Sequence, residues 1–250
     1  VAMAGGMAKQ GAIPVFAVYS TFLQRGYDML LHDVAVQRLH AVFVVDRAGL
    51  VGDDGETHHG VFDVAYLDSV PGMTVFAPSS FAETRRMLER AVMEETGPVA
   101  LRLPRGGEGE YTAESGDEAA VVLREGTQLT LVSYGVLINR VLEAAEGLAR
   151  EGISAEVIKL NTITPLDTSL VCASVKKTGA LLVAEDCVAA GSVGQRLCAA
   201  LTREGIAARN ALVNSGAEFT PHGSVPLLEQ QLGLDAHSLC QLGKKVLQDG

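Results

Sequence analysis

The chain lacks what a membrane protein, a nucleic-acid binder or a disulfide-stapled domain needs. No apolar run approaches the roughly 18 residues of a membrane span. Residues 1–11 are small and apolar, but they have neither the basic start nor the cleavage pattern of a signal peptide. Basic residues are in deficit, with 20 Lys+Arg against 30 Asp+Glu and a formal charge of −10. That balance excludes non-specific attraction to nucleic acid or to an anionic membrane. It does not exclude a phosphorylated substrate, because a few local arginines override distant charge screened over about 8 Å. Cysteine is scarce: Cys172, Cys187, Cys198 and Cys240 lie far apart with no Cys-x-x-Cys spacing. They read as free thiols of a reducing cytoplasm.

Apolar residues make up 48% of the 250, enough for a full core in one large or two medium domains. Strand-like and helix-like stretches alternate. Residues 13–18, 41–45, 73–77 and 98–103 read as strands; 21–39, 60–69 and 80–95 read as helices. In the last of these Phe81, Thr84, Met87, Leu88, Ala91 and Val92 form one stripe. Ser79 or Ser80 is its expected N-cap, with Glu83 closing a capping box from Ser80. Residues 104–117 break the pattern and read as a linker. A second series follows, with strands at 129–133, 155–159, 180–184 and 211–213. Helices are expected at 138–151, 168–176, 192–203, 224–231 and 235–247. This is an α/β chain with two parallel-sheet domains, 1–106 and 119–250, joined by a linker at 107–118. Residues 1–9 read as the second half of a helix stopped by Gly11 with no cap in front, so residues are expected upstream.

Parallel strands deliver ligand-binding residues to the carboxyl edge of a sheet. Tyr19, Phe22 and Arg25 follow the first strand. Asp46 and Arg47 end the second, and a loop with Gly49, Gly52, Gly55 and Gly60 carries Asp53, Asp54, Glu56, His58 and His59. Arg102 and Arg105 end the strand at 98–103. Phe22 is either core packing or a flat surface for a ring, and Arg25 and Arg105 are either solvated or anion clamps. His58 is a candidate acid/base because its ordinary pKa is near neutrality. No metal site is expected: the carboxylates lack calcium-loop spacing, and adjacent histidines tend to point apart. Glu185-Asp186 and Gly191-Ser-Val-Gly194 form either a phosphate loop or a glycine-assisted turn. His222-Gly223-Ser224 reads as the cap of the next helix.

Tyr-Ser-Thr-Phe-Leu-Gln-Arg at 19–25 and the stretch 46–60, which opens on Asp-Arg-Ala-Gly, carry a resemblance that runs nearly end to end. Further anchors are Tyr27-Asp28, His32-Asp33, Pro78-Ser79, Leu101 to Gly106, Asn161 to Asp167 and His222-Gly223-Ser224. The chain resembles the 1-deoxy-D-xylulose-5-phosphate synthases, thiamine-diphosphate enzymes of the transketolase group. The resemblance implies a pyrimidine-binding fold followed by a transketolase C-terminal domain. It implies that Phe22 stacks on the cofactor's aminopyrimidine. Tyr19, Arg47 and Arg105 would hold the phosphate of glyceraldehyde 3-phosphate, and Arg25, Asp54 and His58 would line the pyruvate pocket. The implied reaction joins pyruvate to glyceraldehyde 3-phosphate with loss of carbon dioxide, in a homodimer. The family's activating glutamate, diphosphate site and Mg ligands would lie before residue 1. Glu56 stands where the family usually has proline. Two rival readings share the fold: the C-terminal subunit of a split transketolase, and a non-catalytic module.

Overall fold

The computed structural model describes residues 1–248; the last two residues of the expected 119–250 domain lie outside them. Among the described residues, ten strands form two five-stranded sheets. The first contains β1 (Val15–Tyr19), β2 (Ala41–Ala48), β3 (Thr74–Phe76) and β4 (Pro98–Pro104) in the order β1-β2-β4-β3, all parallel. The second contains β5 (Ala120–Arg124), β6 (Leu129–Tyr134), β7 (Ala155–Leu160), β9 (Ala180–Ala184) and β10 (Arg209–Val213), ordered β10-β9-β6-β7-β5. Both central runs are parallel and covered by helices, so their strands are near-continuous apolar stretches. β2, β6, β7 and β9 are buried over most of their length.

The expectation of purely parallel sheets needs correcting. β5 runs antiparallel to β7, and β8 (Thr162–Thr164) runs antiparallel to β3 at the edge of the first sheet. Neither is the next strand after its partner across a single helical crossover, the connection that parallel pairing needs. β8 is separated from β7 by Asn161 alone, so the chain passes directly from the second sheet to the first. Three-residue Thr-Ile-Thr and half-buried Ala-Val-Val-Leu-Arg carry too little periodicity to be read as strands.

The expected helix over 21–39 is also broken. It is a relay of short α, 3-10 and π turns over residues 20–35. The π segment Leu30–Ala35 lies where Gly5 of the Ala2–Lys9 helix presses on the Asp33 carbonyl, 2.8 Å from where a Cβ would be. Any larger residue at position 5 would part the two elements.

Ionic bridges join the halves, among them Lys159–Glu83, Arg102–Asp186 and Arg196–Asp68. Lys159 on β7 is fully buried and sits 2.8 Å from Glu83 of the Phe81–Met93 helix. Ser80 caps that helix, accepting from Glu83 N at 3.1 Å. The Glu83 carboxylate does not close the box on Ser80. It accepts from Ser79 N at 2.8 Å, Tyr111 Oη at 2.9 Å and Ser115 Oγ at 2.6 Å. Burial opposes its ionisation, but Lys159 and these donors bring its pKa below the usual carboxylate value. Tyr111 and Ser115 belong to the linker, which is irregular but strapped down. Glu108 accepts from Phe81 N at 2.7 Å, Ala113 O accepts from Ser80 Oγ at 2.7 Å, and Asn139 accepts from Tyr111 N at 2.8 Å.

Breaking a buried pair strands the surviving charge. Glu83→Ala is therefore expected to destabilise the fold by about 3–5 kcal/mol, read from the urea midpoint. The double change Glu83→Gln with Lys159→Met is expected to recover much of that loss. A Glu83→Ala protein as stable as wild type would contradict this account of the bridge.

Candidate active site at the carboxyl edge of the first sheet

β1, β2 and β4 are neighbours, and their carboxyl ends open on one edge. Register pairs Tyr19 with Asp46 and Val45 with Arg102. The strand exits therefore bring together side chains from positions 19–22, 46–47 and 102–105. Arg47 leaves β2 with φ of 55°, a left-handed conformation uncommon for a residue with a side chain. Its guanidinium lies 4.2 Å over the Tyr19 ring and pairs with the Asp54 carboxylate. Arg105 reaches the same carboxylate at 3.6 Å and donates to Val51 O at 2.7 Å. Asp54 thus stands between two arginines that would otherwise repel each other.

Phe22 stacks on Tyr19, with ring centroids 5.5 Å apart and planes at 23°, yet is 53% exposed. His58 meets its edge at 5.5 Å. His58 Nδ1 lies 2.9 Å from Thr57 Oγ1, and Thr57 O accepts from Thr21 Oγ1 at 2.8 Å. The structure therefore gathers Tyr19, Phe22, Arg47, Asp54, His58 and Arg105. It does not bring in Arg25. That residue is exposed in the Gln24–Gly26 turn and makes no hydrogen bond or ion pair among the described residues.

The glycine-rich loop is pinched at its base. Gly49 N donates to Gly60 O and Gly60 N to Gly49 O, both at 2.8 Å. Gly60 lies against Ser20, where a Cβ would sit 2.7 Å from that side chain's Cβ. Gly49 has φ of 75°, and a Cβ there would collide with the Asp186 carboxylate of the second half. The second half supports this loop elsewhere too. Val188 N donates to Val61 O at 2.9 Å, and His222 Nε2 lies 3.1 Å from Asp53 O. The adjacent histidines point apart as expected. His59 is buried, which pushes its ring below the usual imidazole pKa; a hydrogen bond to Pro221 O partly offsets this.

Under the site lies a second bridge that sequence reasoning passed over. Arg102 is 5% exposed. Its Nε donates to both oxygens of Asp63 at 3.1 Å, and Nη1 donates to Asp186 Oδ1 at 2.8 Å. The available signal was an arginine inside a strand buried on both faces, where a charge needs partners. Glu185 resolves to the turn reading, accepting from Val193 N and Gly194 N at 2.8 Å each and so capping the Val193–Arg203 helix. Ser224 occupies the cap position of the Val225–Leu232 helix, but its side chain makes no capping bond. Among the described residues no group of three or more His, Cys, Asp or Glu could hold a metal ion, and no helix is long and apolar enough to cross a membrane.

Two family descriptions match almost the whole chain. The transketolase pyrimidine-binding domain covers residues 1–107, and the transketolase C-terminal domain covers 118–239. The chain belongs to the transketolase family. Within it, the sequence is similar to the 1-deoxy-D-xylulose-5-phosphate synthases, as its motifs indicated. It is 42% identical to that of Thermomicrobium roseum over 245 residues, 96% of this chain and 39% of that protein. It is 39% identical to that of Heliobacterium modesticaldum over 251 residues, 98% of this chain and 39% of that protein. The chain thus spans about two fifths of the length of the curated relatives it matches. Among solved structures, a split-gene transketolase described as an inactive beta4 tetramer superimposes with a TM-score of 0.88 at 28% identity. That match covers 98% of this chain and 79% of the other. The two-domain transketolase architecture read from the sequence therefore stands, with mixed rather than purely parallel sheets.

Gly49 provides a direct test of how closely the second half fits the site loop. Gly49→Ala meets both an unfavourable φ and the Asp186 carboxylate, and is expected to cost about 1–3 kcal/mol. Adding Asp186→Ala should not restore stability, because the φ strain remains and Arg102 loses a partner. A Gly49→Ala protein with an unchanged melting temperature would contradict the contact.

Proposed function

We propose that the chain is the pyrimidine-binding and C-terminal portion of a 1-deoxy-D-xylulose-5-phosphate synthase. The complete enzyme would condense pyruvate with glyceraldehyde 3-phosphate, releasing carbon dioxide, and supply precursors for isoprenoid and thiamine synthesis. The observation that carries this reading is the convergence of Tyr19, Phe22, Arg47, Asp54, His58 and Arg105 on one sheet edge. A non-catalytic module has no need of that set. The identities favour a synthase over a split transketolase, 42% and 39% against 28%.

The residues present fit thiamine diphosphate. Phe22 has one face on Tyr19 and half its surface free, which suits stacking on an aminopyrimidine. When bound, the cofactor would supply the thiazolium ring that takes up the electrons released as pyruvate loses its carboxylate. Its diphosphate and Mg ligands are assigned to the part of the enzyme that this chain does not include. Arg47 and Arg105 bind the aldehyde's phosphate, with Tyr19 beside them; a fixed cation pair suits a dianion and needs no reorganisation. Asp54 keeps the two guanidinium groups together before substrate arrives. Arg25 and Asp54 face pyruvate in this reading, with Arg25 swinging in from its exposed turn. His58 hands a proton to the substrate oxygen through Nε2, since Nδ1 is engaged by Thr57. The free cysteines suit a reducing cytoplasm.

In the complete enzyme, Arg47→Ala or Arg105→Ala is expected to raise KM for the aldehyde phosphate roughly ten- to a hundredfold, the worth of a lost charge-assisted bond. His58→Ala should instead lower kcat by about 10²–10⁴-fold. Unchanged constants in all three variants would remove this assignment.

A homodimer is proposed as the working form. β1 is one edge of its sheet, with Val15 on it 51% exposed and Ile13 just before it 47% exposed, and Met3 (80%) and Met7 (47%) of the Ala2–Lys9 helix are exposed as well. The split-gene transketolase that superimposes on this chain is itself described as a tetramer, so self-association occurs on this architecture. Light scattering at tens of micromolar should give at least twice the chain mass of 26.2 kDa; a monomer would contradict it.

A further inference from the structure

His59 touches two parts of the molecule at once and has no role in the chemistry above. It is 3% exposed. Its Nδ1 accepts from Val51 N at 3.2 Å, and its Nε2 lies 3.1 Å from the Pro221 carbonyl. A carbonyl can only accept, so Nε2 carries the proton, Nδ1 is bare, and the ring is neutral in one tautomer. Val51 is held through its next peptide unit as well, because its carbonyl accepts from Arg105 Nη1 at 2.7 Å. One buried residue therefore has its donor on His59 and its acceptor on Arg105. Along the chain, His59 is joined directly to His58.

We propose that His59 is a positioning residue. By holding the Val51 backbone and tying the loop to the Pro221 carbonyl of the second half, it sets where Arg105 and His58 stand relative to each other.

Two physical points support this. Val51 is fully buried, so its N–H has no water to turn to if the imidazole is lost. A stranded donor drives the backbone to rotate, and rotation moves the carbonyl that Arg105 holds. The loop also contains Gly49, Gly52 and Gly55, each at positive φ. Such a backbone is permissive, and side-chain bonds to fixed partners must supply the stiffness. Glutamine can place an amide oxygen toward Val51 N and an amide N–H toward Pro221 O. Leucine fills similar space and offers neither.

This inference rests on the proposed role of Arg105 in binding phosphate. The test compares wild type, His59→Gln, His59→Leu, Arg105→Ala and the His59→Leu/Arg105→Ala double variant of the complete enzyme. His59→Leu is expected to raise KM for glyceraldehyde 3-phosphate about tenfold, while His59→Gln stays within about threefold of wild type. If His59 acts through Arg105, the double variant should match Arg105→Ala alone within about twofold, the signature of coupled sites. Two results would overturn the proposal: full multiplication of the two effects, or glutamine no better than leucine at matched melting temperatures. If His59→Leu does not fold, His59→Asn, too short to reach both partners, takes its place in the same cycle. Calorimetric binding of inorganic phosphate to the same proteins separates this inference from the synthase reading. A wild type that binds phosphate through Arg105 but does not turn over the substrates sinks the synthase reading, and the cycle is then scored on phosphate affinity. A wild type that binds no phosphate sinks the role given to His59.

Discussion

The burial of Arg102 is the constraint on which the rest of the molecule depends. A guanidinium taken out of water is costly, and only close, complete pairing offsets the cost. The pairing here draws on three segments. β4 carries Arg102 and continues to Arg105; Asp63 begins the helix just after the glycine-rich loop; Asp186 comes from the second half and lies against Gly49. The charge is satisfied only when all three are in place. The docking of the two halves and the shape of the substrate edge are therefore one requirement rather than two.

The Lys159–Glu83 pair repeats this logic at a second point of contact, with the linker and Ser79 N supplying the remaining donors. Neither bridge is assembled by local propensity. Each brings together residues far apart in sequence, such as Glu83 with Lys159 or Arg102 with Asp186. Neither is by itself a sign of added stability, since apolar side chains of similar volume often serve stability as well. Asp54 plays a related part at the surface. One carboxylate between Arg47 and Arg105 leaves the group with a net positive charge but without bare repulsion. Under the proposed reading, the phosphate meets arginines already gathered.

Much of this was legible in the sequence, and the parts that were not share a cause. The alternation of apolar runs with amphipathic stretches located nearly every central strand, because parallel strands buried on both faces have a strong compositional signature. The clustering of Tyr19, Phe22, Arg47, His58 and Arg105 followed from strand exits and family motifs. Arg25 did not join them, because the helix expected around it is a relay of tighter and wider turns that leaves it facing outward. β8, Arg102–Asp186 and Lys159–Glu83 escaped for a different reason. A three-residue strand has no period to detect, and a buried ion is visible only as a charge where the pattern calls for an apolar residue. Arg102 and Lys159 both show that signature, but sequence does not reveal the partner.

The route of the chain from β7 into β8 has a consequence for how the protein would come apart. The segment at 107–110 is exposed except at Glu108, and is a natural place for a protease to cut. In most two-domain proteins such a cut releases two separable pieces. Here the carboxyl piece would still contribute β8 to the first sheet. Its Asp186 would also still hold Arg102, and through it Asp63. A nicked molecule would behave as a tightly interlocked pair of peptides, migrating as one species on a sizing column and as two only after denaturation. The covalent linker is thus less a tether than a retaining strip across a joint that is already closed.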